Sequence, residues 1–167
     1  MQLKSKLKSL WRSRVMELVL LQLKQGVTPE KIALTTGLGA ALGVFPILGA
    51  TTFLCLVTGV WLKLNQPFIQ VVNWLMSPLQ LPMILVFARI GEWITRATPV
   101  TFSVPELIRK FHESPGKFMQ EFGMTGVHAI IAWALIAPII VPLVYFLLLP
   151  AFKKLAGQRA AVPQHAE

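Results

Sequence analysis

The sequence predicts an all-α integral membrane protein: an N-terminal amphipathic helix, two Pro/Gly-broken helical segments and a C-terminal transmembrane helix. Three observations predict it. Of the 167 residues, 54% are hydrophobic and 14% are charged, whereas a soluble domain carries about a quarter charged residues. Two long runs, Ile32 to Leu62 and Leu64 to Ala88, contain no charge at all. Both runs carry helix breakers near their centres: Pro46 with Gly49 in the first, Pro78 with Pro82 in the second.

The charge that remains gathers at the ends of these runs. Seven cations (Lys4, Lys6, Lys8, Arg12, Arg14, Lys24, Lys31) stand in the first 31 residues against Glu17 and Glu30, and Lys153, Lys154 and Arg159 follow the last apolar run. The stretch from Arg89 to Gly126 is nearly balanced, with five cations and four glutamates. By the positive-inside rule both tails face the cytoplasm. The same placement argues against nucleic-acid binding, despite the net charge of +9.

Residues 1–27 read as a basic amphipathic helix on an anionic membrane surface. Leu3, Leu7, Leu10, Trp11, Val15 and Leu18 recur at helical spacing, with Lys4, Lys8, Arg12 and Arg14 elsewhere on the wheel. No small-residue cleavage site of the A-x-A kind follows, so the segment is expected to be retained.

Residues 28–94 form the expected membrane domain. Thr28 followed by Pro29 reads as a helix N-cap. Ile32 to Leu62 would extend about 46 Å as one helix, against roughly 30 Å of hydrocarbon. Cut at "FPILGA", it becomes two arms of about 18 to 20 Å each, able to pass the midplane and return. Pro46 lacks a backbone N–H and pushes Phe45 out of the helical region, while Gly49 admits conformations other residues avoid. The first arm should therefore stop near Val44 and the second restart near Thr51, capped by its hydroxyl. Gly39 and Gly43 make a G-x-x-x-G face for close helix approach. In the second run, Asn65 before Pro67 and Ser77 before Pro78 each read as a cap with proline in the first turn, so a second break is expected around Pro78 to Pro82. One broken segment folds back and the other crosses; Lys63 between them favours the first as the re-entrant one.

Residues 95–126 read as a polar connection with a short amphipathic helix, on which Leu107, Ile108, Phe111, Phe118 and Phe122 form the apolar side. Residues 127–152 read as the conventional span, bent at Pro138 and Pro142. Residues 153–167 read as a basic, disordered tail.

Catalytic groupings are missing. The sequence has no Asp, no metal-like cluster of His and Cys, no nucleotide loop and no G-x-S-x-G. No enzymatic activity, metal or cofactor is expected. Cys55, the lone cysteine, reads as a small buried hydrophobe. Paired interrupted segments point instead to a binding site between them, because free N–H groups at a half-helix N-terminus receive anions. The candidate ligand-binding residues are Thr51, Thr52, Asn73, Ser77 and Gln80, with Arg89 as a peripheral cation. Each has an ordinary structural reading beside the functional one: capping by Thr and Ser, a freed carbonyl satisfied by Gln80, and headgroup contact or pairing with Glu92 by Arg89.

Residues 28–94 resemble the bacterial membrane family catalogued as domain of unknown function 2062. The resemblance rests on the T-P opening, the Gly-spaced helix leading into G-V-F and P-x-x-G-x-x-T, the "LNQP" restart and the "SPLQLP" element. Where the family's second element is commonly written Asn-Pro-Leu-Thr, this chain has Ser77, Pro78, Leu79 and Gln80. The resemblance implies a multi-pass protein of the bacterial inner membrane. Relatives joined to, or accompanied by, glycosyltransferases acting on lipid carriers imply envelope lipid traffic. The expectation is a protein that binds and translocates an anionic or phosphorylated lipid. The alternative is a non-catalytic adaptor that anchors or regulates a lipid-modifying enzyme, with a membrane-protein partner or a second copy of itself on the Gly39–Gly43 face.

Overall fold

The computed structural model describes residues 17, 19, 21, 22, 26–98 and 103–160. Among them no strand occurs, and five helices follow one another: α1 (Pro29–Gly43), α2 (Ala50–Trp61), α3 (Gln66–Thr95), α4 (Val104–Glu113) and α5 (Pro115–Ala160). Residues 17, 19, 21 and 22 are helical as well. Most of the amphipathic helix expected over 1–27 lies outside the described residues.

Local chemistry sets the helix starts. The Thr28 hydroxyl accepts the Lys31 N–H at 3.3 Å, and the Asn65 side chain accepts the Phe68 N–H at 3.0 Å. In each case a proline in the first turn removes an N–H that would have no partner there. The break after α1 falls where expected, with Val44 as the C-cap. The restart differs in its cap. Gly49, at φ 82°, is the N-cap of α2 and offers no side chain, so Thr51 lies inside the first turn and does not cap it. A left-handed glycine reverses the chain within a residue, and the helix begins at once behind it.

The second expected break is absent. α3 runs through Pro78 and Pro82 for 30 residues, and Ser77 sits in its interior as an exposed side chain, not as a cap. An interior proline removes one donor and crowds the carbonyl four residues back, which bends a helix. Leaving the helix altogether needs a residue that accepts a left-handed turn, and the 78–82 stretch has no glycine. Of the two apolar runs, the first is broken and the second is continuous.

α5 is longer than expected at both ends. Its 46 residues take in 115–126 of the supposed connection and 153–160 of the supposed tail, and pass through Pro138, Pro142 and Pro150. The short amphipathic helix of the connection is α4. Phe118 and Phe122 belong to α5, where Phe111 of α4 meets Phe118 edge-on at 5.5 Å and Lys110 lies 5.0 Å over the Phe122 ring.

The helices share two ends, called near and far here. α1 starts at the near end, where Glu30 pairs with Lys153 of α5 at 3.1 Å. It reaches halfway along α3, with Gly43 against Met76, and α2 returns to the near end. There Lys63, Leu64 and Asn65 share a hollow with Val27, Thr28 and Lys31. α3 runs from the near to the far end, α4 follows, and α5 comes back. Ile32, Ala33, Phe68, Val72 and Phe152 form the near core, and Val44, Phe87, Ala88, Ala129 and Ala132 a second one deeper. Cys55 is fully buried beside Leu42, Leu64 and Ile69.

Small residues permit this packing. A Cβ on Gly39 would lie 2.8 Å from that of Val72, and one on Gly43 2.7 Å from that of Met76. The Gly39–Gly43 face is thus filled by the chain's own α3. Farther along, the His128 carbonyl occupies the space a side chain on Gly91 would need.

α3 and residues Phe122–Gly157 of α5 are each long and apolar enough to cross a membrane. Leu135, Ile139, Leu143 and Leu147 expose a continuous apolar stripe on α5, each more than half accessible. Trp61 and Trp93, 79% and 81% accessible, stand toward opposite ends of the bundle.

Candidate functional site

Five polar residues of α3, Gln66, Gln70, Asn73, Ser77 and Gln80, are spaced 4, 3, 4 and 3 apart, which sets them on one helix face. That face looks onto α2 and the turn. Gln66 donates to the Leu56 carbonyl at 3.0 Å, and Gln70 to the Thr52 carbonyl at 3.1 Å. Asn73, 2% accessible, donates to the Thr52 hydroxyl at 3.3 Å and to Gln70 Oε1 at 3.4 Å. Gln80 donates to the carbonyls of Phe45 at 3.0 Å and Ile47 at 3.4 Å.

The turn between α1 and α2 is secured from a second side. Trp133 of α5 donates its indole N–H to the Ala41 carbonyl at 2.8 Å, and its ring meets Phe45 edge-on at 4.8 Å. Carbonyls released where α1 ends would be expensive to bury unpaired. Both long helices supply donors for them.

The structure thus brings Thr52, Asn73 and Gln80 into one hydrogen-bonded seam that includes the turn of Pro46 and Gly49. Thr51 is buried in the first turn of α2, and Thr52 is exposed at the seam's edge. Ser77 shares the stripe and is exposed. Arg89 stands apart, nine residues beyond Gln80, or about 13 Å along the helix. It pairs with the buried Glu92 at 3.0 Å, beside an open hollow of about 710 Å³ that Trp93 and Arg96 also line. Gln66, Gln70 and Trp133 belong to the arrangement although none was a candidate from sequence. The 4-3-4-3 spacing of α3 was the signal for the first two; a single indole in an apolar helix gives none.

At the near end, Glu30 is held below the ordinary glutamate range, first by a backbone hydrogen bond at the start of α1 and then by Lys153. The pair links the start of α1 to α5 at a solvent-exposed position.

An all-helical bundle with two helices of membrane-crossing length and a broken, side-chain-stitched hairpin defines the class. The chain belongs to the family described as uncharacterized protein conserved in bacteria (DUF2062), whose model matches residues 11–161. The match extends well past residues 28–94, to include α4 and all of α5. No curated protein and no solved structure matches the chain.

Proposed function

We propose that this chain is a multi-pass protein of the bacterial inner membrane that binds an anionic or phosphorylated lipid beside its hairpin and moves the headgroup across, as part of envelope lipid traffic. In this reading α1 and α2 are the arms of a re-entrant hairpin. At about 22 Å and 18 Å they exceed half of a roughly 30 Å hydrocarbon core without spanning it. α3 and α5 cross. Lys31, Lys63, Lys153 and Lys154 put the near end, and with it both tails, on the cytoplasmic side.

The observation that carries the lipid reading is the polar stripe. From Gln66 to Gln80 it would cover about 21 Å of depth, from the cytoplasmic surface past the midplane. Its Gln66 and Gln70 bonds are exposed, as are Ser77 and Thr52. A half-exposed track of amides and hydroxyls gives a headgroup hydrogen-bonding partners where hydrocarbon gives none. The first turn of α2, without a side-chain cap, adds partial positive charge at mid-depth. Arg89 would serve the far stage as a peripheral cation. The adaptor role has less support, since α3 fills the Gly39–Gly43 face that a partner helix would use.

The test is reconstitution in phosphatidylcholine vesicles holding a trace of fluorescently tagged phosphatidylglycerol in both leaflets, with a membrane-impermeant quencher outside. Inner-leaflet label should become accessible faster than in protein-free vesicles. Ser77→Leu, at an exposed position, should slow that exposure without lowering thermal stability. Correctly inserted wild-type protein that leaves the inner label protected would defeat the proposal. Stoichiometric co-purification of a second membrane protein, with no retained anionic lipid, would favour the adaptor.

A further inference from the structure

We propose that the hollow at the near end, between the start of α1 and the α2–α3 turn, is a binding site for a phosphate-bearing group, held by Lys31 and Lys63. The proposal rests on the lipid reading above and gives the headgroup its point of entry. The hollow measures about 310 Å³ and is lined by both lysines together with Thr28 and Asn65. That volume is at the low end for a ligand site: enough for a headgroup, too small for acyl chains.

Both charged side chains that line the hollow are cationic. α1 and α3 begin there and α2 ends there, so helix dipoles of both signs meet and partly offset. The amides at the two helix starts contribute little directly. Thr28 and Asn65 already take the Lys31 and Phe68 N–H groups, and Pro29 and Pro67 have none. Recognition therefore falls to the two ammonium groups, both on exposed residues. Among the described residues no ion pair engages either of them; Glu30, the nearest carboxylate in sequence, is paired with Lys153.

Lys63 carries an independent mark. It ends α2 at φ 52°, in the left-handed region. The Leu64 N–H reaches the Gly59 carbonyl at 2.8 Å, and the Lys63 N–H the Val60 carbonyl at 3.2 Å. In this helix-ending motif the left-handed position is usually glycine, because a side chain there is strained. A strained residue that also supplies a charge to a hollow points to a use for the charge. Three residues on, Gln66 opens the polar stripe. Phe53, Val57 and Val60 of α2, all exposed, fall at i, i+4 and i+7 and offer acyl chains an apolar face.

The test uses the full chain in phosphatidylcholine nanodiscs, titrated with short-chain phosphatidic acid and, separately, with inorganic phosphate. Lys63→Gly removes charge and strain together, so thermal stability should hold or rise while phosphatidic acid binds about fivefold more weakly. Adding Lys31→Ala should bring the loss to about thirtyfold. Lys154→Ala, at the same end but outside the hollow, should change affinity less than about twofold. Phosphatidic acid retained against a large excess of inorganic phosphate supports a lipid headgroup as the source, and displacement at comparable concentration supports a soluble phosphate. Unchanged affinity in the Lys31→Ala, Lys63→Gly double variant overturns the site. If that variant binds normally while vesicle exchange still occurs and Ser77→Leu still slows it, the lipid reading survives without this hollow. If wild-type protein neither binds phosphatidic acid nor exchanges label, both fall.

Discussion

The first apolar run and the second begin alike, with a capping side chain, a proline in the first turn and twenty or more residues free of charge. Each meets a proline near its middle. At Pro46 the chain leaves the helix and folds back on itself, while at Pro78 and Pro82 it continues as α3. The difference lies in what surrounds the proline. Pro46 is followed within three residues by Gly49, which takes a left-handed turn, and the carbonyls released there meet Gln80 and Trp133. Around Pro78 no residue accepts such a turn. A proline loosens a helix in an apolar setting, whereas a break needs a left-handed residue and waiting donors as well.

The largest effect should come from removing a donor. Gln80→Leu leaves the Phe45 and Ile47 carbonyls without their amide and should destabilise the protein by about 2 kcal/mol or more, seen as a lower midpoint of thermal unfolding in detergent. Retention of the wild-type midpoint would mean that the turn does not depend on α3. Next, Gly49→Ala forces a Cβ into a left-handed conformation and should cost about 1–2 kcal/mol. Space is not the issue, since nothing lies within 4 Å of the added atom. Pro82→Ala sharpens the comparison from the other side. It restores a donor inside α3 and should stabilise the protein by less than about 1 kcal/mol, seen as a slightly higher midpoint; a clear loss would show that the proline is needed for the shape of α3.

The smallest effect concerns pH. The Glu30 carboxyl is held below the ordinary glutamate range in the folded protein, so its contribution to stability is present above that range and fades as the pH falls through the lowered folded pKa. Between pH 6 and pH 3 the wild type should lose slightly more stability than Glu30→Gln. Both partners are well exposed, so solvent screening keeps this term small.

The helix starts at Thr28 and Asn65, and the break at Pro46 and Gly49, were legible because each rests on a few neighbouring residues whose backbone preferences are strong. The interior of α3 was not. "SPLQLP" has the local form of a cap followed by proline, and nothing local reveals that packing against α1 and α5 keeps the helix intact. The extension of α5 was missed because residues 95–126 are polar, yet polarity does not end a helix, and α5 passes through Gly116, Gly123 and Gly126 at about 1 kcal/mol each. Part of the candidate site was visible as polar residues in apolar runs. The roles of Thr52, Asn73 and Gln80 were not, because which carbonyl each serves follows from how the hairpin docks. Gln66 and Gln70 were overlooked because they stand near a helix start, where polar residues are unremarkable.

The hairpin stops halfway along the bundle, and this has a geometric consequence. Among the described residues, α1, α2, α3 and α5, together with the helical residues that include Val19, fill the near half, whereas neither α1 nor α2 continues past the middle of α3. In the proposed bilayer this is a wedge, displacing more lipid area from the cytoplasmic leaflet than from the opposite one. Such a shape should favour membrane regions curved toward the narrow side, so the protein's lateral distribution would respond to local curvature as well as to lipid charge.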